Sequence, residues 1–139
     1  ALAFQHLIYP MIDDRTTADP APSDFAGQYV WTRESNAYGW SALLNGPPGG
    51  PDTPAYAAAA RAENLSGLPP AYIACGALDL FIDENLAFAR RLIRAGVPTE
   101  VHVYPGAPHG FQMVPEAAVS RQAARDALVA LGKALKAGS

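Results

Sequence analysis

Residues 4–9 form an apolar run stopped by Pro10, which predicts a buried strand followed by an extended turn through Met11-Ile12-Asp13-Asp14. Over residues 16–54 the pattern dissolves into proline, glycine, aspartate and aromatic positions. One helix is expected inside it, from about Arg33 to Leu44, with Thr32 as N-cap and Asn45-Gly46 as its stop. Regularity then returns. Leu68-Pro69-Pro70 leads into a short apolar strand over 71–75, closed by Gly76. A helix follows with Asp83 as N-cap, Leu86, Ala89, Leu92 and Ile93 at helical spacing, and Gly96-Val97-Pro98 as its stop. Residues 100–104 read as a strand and 105–110 as a loop. From Pro115 to about Lys136, the residues Val119, Ala123, Ala127, Leu128, Leu131 and Leu135 line one helical face. A strand, a crossover helix and a second strand in this order imply neighbouring parallel strands joined right-handedly, hence an α/β fold.

The irregular stretch carries Phe25, Tyr29, Trp31, Tyr38 and Trp40, too many aromatics for a solvated spacer, so it is expected to pack on something. The 139 residues allow one domain, and 50% hydrophobic positions exclude disorder. No apolar run approaches the ~20 residues that a bilayer span requires, so no membrane span is expected. Ten Lys and Arg against thirteen Asp and Glu, without a basic cluster, give no reason to expect nucleic acid as a partner. Cys75 is the only cysteine, which excludes an intrachain disulfide and favours a cytoplasmic setting over an oxidising one. The chain begins with Ala1 inside what already reads as strand, so an upstream portion is expected to be missing.

Ligands of open parallel sheets bind beyond the carboxyl ends of the strands, and two loops leave such ends here, one holding Asp79 and the other His109. Paired strands lie ~4.8 Å apart, so these side chains can meet. A carboxylate on an imidazole fixes its tautomer and leaves Nε2 free as a general base toward a hydroxyl nucleophile. The alternative is structural: Asp79 caps a turn and His109 is merely an exposed loop histidine. Asp83 is accounted for by helix capping. His6 and His102 fall within strand patterns and read as packed or interface residues with no partner at metal-ligand spacing, and Cys75 reads as an inert core thiol.

A nucleophile is not visible. The Gly-x-Ser-x-Gly elbow needs small residues flanking a strained serine, and Ser23, Ser35, Ser66, Ser120 and Ser139 lack them. Gly39-Trp40-Ser41-Ala42-Leu43 matches only half the pattern, in a helical context, and no His-Gly-Gly run offers oxyanion-hole N–H groups. Where the triad runs Ser, Asp, His along the chain, a segment starting after the serine keeps only the last two.

Several stretches together resemble the carboxyl-terminal half of hormone-sensitive-lipase-like α/β-hydrolase esterases. They are Gln5-His6-Leu7-Ile8-Tyr9-Pro10-Met11-Ile12-Asp13, Leu65-Ser66-Gly67-Leu68-Pro69-Pro70-Ala71-Tyr72-Ile73, Asp79-Leu80-Phe81-Ile82-Asp83-Glu84, Gly96-Val97-Pro98 and Tyr104-Pro105-Gly106-Ala107-Pro108-His109-Gly110-Phe111. The resemblance implies that Asp79 matches the family's triad acid, His109 its base and Asp83 the second aspartate of its Asp-Pro-Leu-x-Asp motif. Leu80 departs from the usual proline, Ile82 from the frequent arginine, and Thr53-Pro54 stands where Ser-Pro is common. These departures bear on substrate preference more than on mechanism.

The family's serine and oxyanion glycines have no counterpart here, and the resemblance implies no metal and no organic cofactor. It also implies that residues 19–50 contribute to a cap over the acyl pocket. Trp31 and Trp40 line that pocket or bury against the missing half, and Leu80, Phe81 and Phe111 are further candidates for substrate contact. The expected partners are a small-molecule ester, the missing amino-terminal half, and a two-fold mate meeting the strand Glu100-Val101-His102-Val103-Tyr104 and the last helix. The expected activity is serine carboxylic-ester hydrolysis, with none from these residues alone. A non-catalytic small-molecule-binding or receptor-like protein on the same scaffold is the alternative.

Overall fold

The computed structural model describes residues 2–136. Its three strands, β1 (Gln5–Ile8), β2 (Ala71–Gly76) and β3 (Thr99–Tyr104), form one parallel sheet in the order β1-β2-β3. Leu7 pairs with Ile73 and Ile73 with Val101, so the register is continuous across the sheet. Helix α1 (Arg33–Leu44) lies in the long β1–β2 connection, α2 (Ile82–Arg94) crosses from β2 to β3, and α3 (Ala118–Lys136) follows β3. The expected α/β order is present.

The sheet is covered on both faces, which is why every residue of β2 is buried and the strand reads as a continuous apolar run. Alternate side chains point to opposite faces. Ala71 and Ile73 pack with Phe88, Ala89 and Leu92 of α2, and Tyr72 and Ala74 with Ala123 and Ala130 of α3. Burying a Leu92 or Phe88 side chain contributes about 1.5–3 kcal/mol each. No helix among the described residues is long and apolar enough to cross a membrane.

Helix α1 has the bounds and caps expected from sequence: the Thr32 side chain accepts from the Ser35 N–H, and Asn45 turns left-handed at the end. The other two helices correct the expectation. In α2, Phe81 occupies the N-cap position without a side-chain bond, and Asp83 lies in the first turn rather than capping it. The turn is closed instead by Asp79, whose Oδ1 accepts the Phe81 N–H at 3.0 Å. Leu86 and Ile93 are exposed, and the buried stripe is Glu84, Asn85, Phe88, Ala89 and Leu92. The stripe is rotated because Glu84 and Asn85 face inward to bind backbone groups of the turn after β1.

Helix α3 starts at Ala118 rather than Pro115, and Ser120, Ala123 and Ala130 are its buried residues. These side chains are all small. Val119 and Ala127 pack at the margin, while Leu128 and Leu135 point outward.

Candidate active site

Two loops leave the carboxyl ends of adjacent strands and are tied together before they diverge. The Ala77 N–H donates to Tyr104 O at 2.9 Å and the Leu78 N–H to Ala107 O at 3.0 Å. This crossing requires Gly76, because a Cβ there would lie 2.1 Å from the Ala107 carbonyl oxygen. The strand that sequence reading closed at Gly76 thus ends in a glycine for steric reasons.

The loops bring Asp79 and His109 together. His109 Nδ1 lies 3.0 Å from Asp79 Oδ2, and the other carboxylate oxygen is held by the Phe81 N–H. Asp79 is wholly buried, whereas 18% of the His109 side chain is exposed. With both oxygens engaged the carboxylate cannot swing. It favours the imidazole tautomer that carries hydrogen on Nδ1, and Nε2 is the nitrogen left to take a proton.

Aromatic rings surround the imidazole. Tyr9 approaches it edge-on with centroids 4.5 Å apart, Phe81 at 5.4 Å and Trp31 at 5.9 Å. Trp31 comes from the long irregular segment, which docks on the loop that carries Asp79, the Gly27 N–H donating to Leu78 O at 3.0 Å. Gly27 itself presses on Leu80, where a Cβ would meet Cδ1 at 2.7 Å.

Of the apolar candidates, Trp31 and Phe81 therefore stand at His109, Leu80 packs beneath them, and Phe111 is one ring removed, against Tyr9 and Tyr104. Trp40, carried by α1, is completely buried. Ser41 lies within the same helix, and Ser120 Oγ donates to Phe111 O at 2.9 Å. Ser139 lies outside the described residues.

Three further residues matter that sequence reading did not single out. Glu84 is buried, and its carboxylate accepts the Ile12 and Asp13 N–H groups and the Thr16 hydroxyl. Burial nonetheless pushes it up to about 7, since the two N–H groups and the hydroxyl that bond it are uncharged and do not offset desolvation. Asp14 is also wholly buried, and Arg61 grips it with Nε on Oδ1 at 2.8 Å and a terminal nitrogen on Oδ2 at 2.9 Å. Burial alone would raise Asp14, but Arg61, the Gly49 N–H and the Thr53 hydroxyl hold its carboxyl below the usual range. Nothing local in the sequence signals this pair, whose members lie far apart along the chain.

The remaining histidines and the cysteine are elsewhere. His6 is exposed and stacks on Tyr72 at 5.1 Å. His102, expected to lack an acidic partner, has two: Glu100 at 2.8 Å from Nε2 and Asp126 of α3 at 3.6 Å from Nδ1. Glu100 is two positions along the same strand and so shares its face, and Asp126 is supplied by the helix above. These carboxylates sit on opposite ring nitrogens, and among the described residues no group of three His, Cys, Asp or Glu is arranged to hold a metal. The Cys75 thiol is buried and raised far above its ordinary range by desolvation, then by the Asp79 and Glu84 charges, as suits an unreactive core residue.

A parallel sheet with an Asp–His pair across the ends of adjacent strands fits one class closely, and residues 1–113 match the family described by the alpha/beta hydrolase fold. The chain belongs to that family. Within it the resemblance is to the hormone-sensitive-lipase-like esterases. Esterase LipI of Mycobacterium tuberculosis is 47% identical over 58 residues, 42% of this chain and 18% of that protein. Human hormone-sensitive lipase is 43% identical over 47 residues, 34% of this chain and 4% of that protein.

Among solved structures, a bacterial heroin esterase superposes with a TM-score of 0.85 at 37% identity, over 96% of this chain and 43% of its own. Esterase LipW from Mycobacterium marinum gives 0.78 at 33% identity, over 95% and 40%. The chain thus spans less than half the length of these esterases.

Proposed function

We propose that this chain is the carboxyl-terminal part of a serine carboxylic-ester hydrolase acting on short to medium acyl esters, with His109 as general base and Asp79 orienting it. A serine from an upstream half attacks the ester carbonyl, and His109 Nε2 takes its proton. The imidazolium, steadied by Asp79, returns a proton to the leaving alcohol. Water then enters by the same route and releases the acid. The observation that carries this reading is the 3.0 Å contact between His109 Nδ1 and a buried carboxylate at the ends of neighbouring parallel strands. A capping role for Asp79 does not compete with it, because one oxygen caps and the other holds the histidine.

The names of the similar proteins support an ester as substrate. Trp31 and Phe81, beside the imidazole, are the strongest candidates to wall the acyl pocket, and the segment 19–50 that carries Trp31 is a cap contributor in this reading. Pairing of two copies through β3 and α3 is part of the same proposal, supported by the outward-facing Leu128 and Leu135.

The test compares this polypeptide alone with the chain joined to its upstream half, on a chromogenic short-chain ester. Turnover only in the joined protein is expected. Robust turnover by the 139 residues alone, blocked by a serine-directed inhibitor, would overturn the division of roles. Tight ligand binding without turnover in the joined protein would favour a non-catalytic binding role.

A further inference from the structure

Tyr9 stands directly before Pro10, yet its φ is 34°, in the left-handed region. Two preferences oppose this: a residue with a Cβ avoids positive φ, and a following proline pushes its neighbour toward extended backbone. Such a conformation persists only where its surroundings impose it. Here the Tyr9 N–H donates to Ala74 O at 2.6 Å, near the end of β2. On the other side of the kink, Pro10 O accepts from Asn85 Nδ2 at 2.8 Å, and the Ile12 and Asp13 N–H groups donate to Glu84. The first turn of α2, which begins from the Asp79 loop, thereby grips the chain just past Tyr9.

The kink decides where the ring goes. In β1, Leu7 packs on the α2 side of the sheet and Ile8 on the α3 side, where Phe4, just before the strand, also packs. Strict alternation would send Tyr9 the way of Leu7. Instead its ring bridges the α3-side cluster and the cluster of Cys75, Leu80 and Phe81, and of the rings packed on His109 it is the nearest. Burial, and then the Asp79 charge, hold its phenol above the ordinary range, so the ring shares the enclosed setting of the Asp–His pair.

Resting on the reading of His109 as the base, we propose that Tyr9 is a positioning residue for it. An imidazole held at one nitrogen can still rock about its Cβ–Cγ bond, and a ring packed edge-on at 4.5 Å removes that freedom and keeps Nε2 aimed at the attacking hydroxyl. The strained backbone is what brings the ring across the strand ends to do this.

The experiment uses the enzyme with its upstream half joined, and reads ester turnover together with the proton NMR signal of His109 Nδ1–H. Tyr9→Leu is expected to lower kcat about 10- to 100-fold with KM within about twofold, and to broaden the Nδ1–H signal. Tyr9→Met, which fills the space without a ring, is expected to do the same should the leucine variant fold poorly. Tyr9→Phe recovers turnover and signal. Parental kcat and an unchanged signal in Tyr9→Leu or Tyr9→Met would overturn the proposal.

His109→Ala separates the two readings. If it abolishes turnover while Tyr9→Leu changes nothing, only the role of Tyr9 fails. If turnover survives His109→Ala, the base assignment fails and the catalytic part of the Tyr9 proposal with it. The Nδ1–H signal in Tyr9→Leu then decides whether the ring holds the imidazole.

Discussion

Among the described residues two aspartates are wholly buried, and they are held in opposite ways. Asp14 is gripped by the guanidinium of Arg61, a backbone N–H and the Thr53 hydroxyl, a set with a permanent positive charge. Asp79 has one backbone N–H and an imidazole whose charge can change. The first arrangement fixes structure: it pins the segment around Gly49, Thr53 and Arg61 to the turn after β1. The second leaves a partner able to exchange a proton at the surface of the sheet. Burial alone therefore does not mark a functional carboxylate. What distinguishes Asp79, in the proposed reading, is that its side-chain partner is an imidazole rather than a guanidinium.

The comparison is broken most severely at Asp79. Asp79→Asn keeps an oxygen for the Phe81 N–H but no longer favours the Nδ1–H tautomer. In the joined enzyme, kcat is expected to fall about 10⁴-fold, the size of effect seen where a triad acid is neutralised. Thermal unfolding, measured alongside, is expected to change little.

Arg61→Ala should reverse that profile. Removing the guanidinium strands a buried carboxylate, and the expected loss is about 3 kcal/mol in denaturant unfolding. Because Asp14 is held below the usual carboxylate range, its contribution is present above about pH 4 and disappears as the pH falls through its folded value. The acid limb of the stability profile should flatten in Arg61→Ala.

Glu84 sharpens the contrast as a third buried carboxylate, one whose bonding partners include no cation. Its folded value of about 7 lies above the unfolded one, so its contribution is present below about pH 4.5 and is lost as the pH rises through 7. Glu84→Gln can keep the backbone bonds without the charge. It is expected to unfold like the parent near pH 4 and to be more stable by about 3 kcal/mol near pH 8, which a pair of denaturant titrations would read.

The smallest effect concerns Val30, an exposed β-branched residue at φ 60° on the loop between the two regions. Val30→Gly should relieve that strain and stabilise the fold by about 1 kcal/mol, visible as a modest rise in Tm. A fall in Tm would mean that the valine side chain contributes packing that outweighs its backbone cost.

What the sequence made legible follows the range over which each feature is encoded. The caps of α1, Thr32 and Asn45, are local chemistry, and the strand–helix alternation after Leu68 is periodic, so both could be read directly. Asp79 and His109 were reachable because parallel topology brings strand ends together. Asp83 misled because a favourable capping residue was available, while the turn was in fact closed by Asp79 from outside the helix. Counting apolar letters found Ala89, Leu92 and Ala123 but misplaced Leu86, Ile93, Leu128 and Leu135: the inward positions of Glu84 and Asn85 depend on backbone groups from the turn after β1, and the buried residues of α3 are small ones rather than leucines. The Asp14–Arg61 pair spans distant segments, and the Tyr9 conformation runs against its own local preference. Neither leaves a trace in the surrounding residues.

The central proposal divides the catalytic serine from the Asp–His pair, and covalent labelling tests that division most directly. The joined enzyme is treated with a fluorophosphonate, digested, and the adduct located by mass spectrometry. An adduct on a serine upstream of Ala1, absent in His109→Ala, is the expected result. An adduct on Ser41, or on any other serine of this chain, would contradict it.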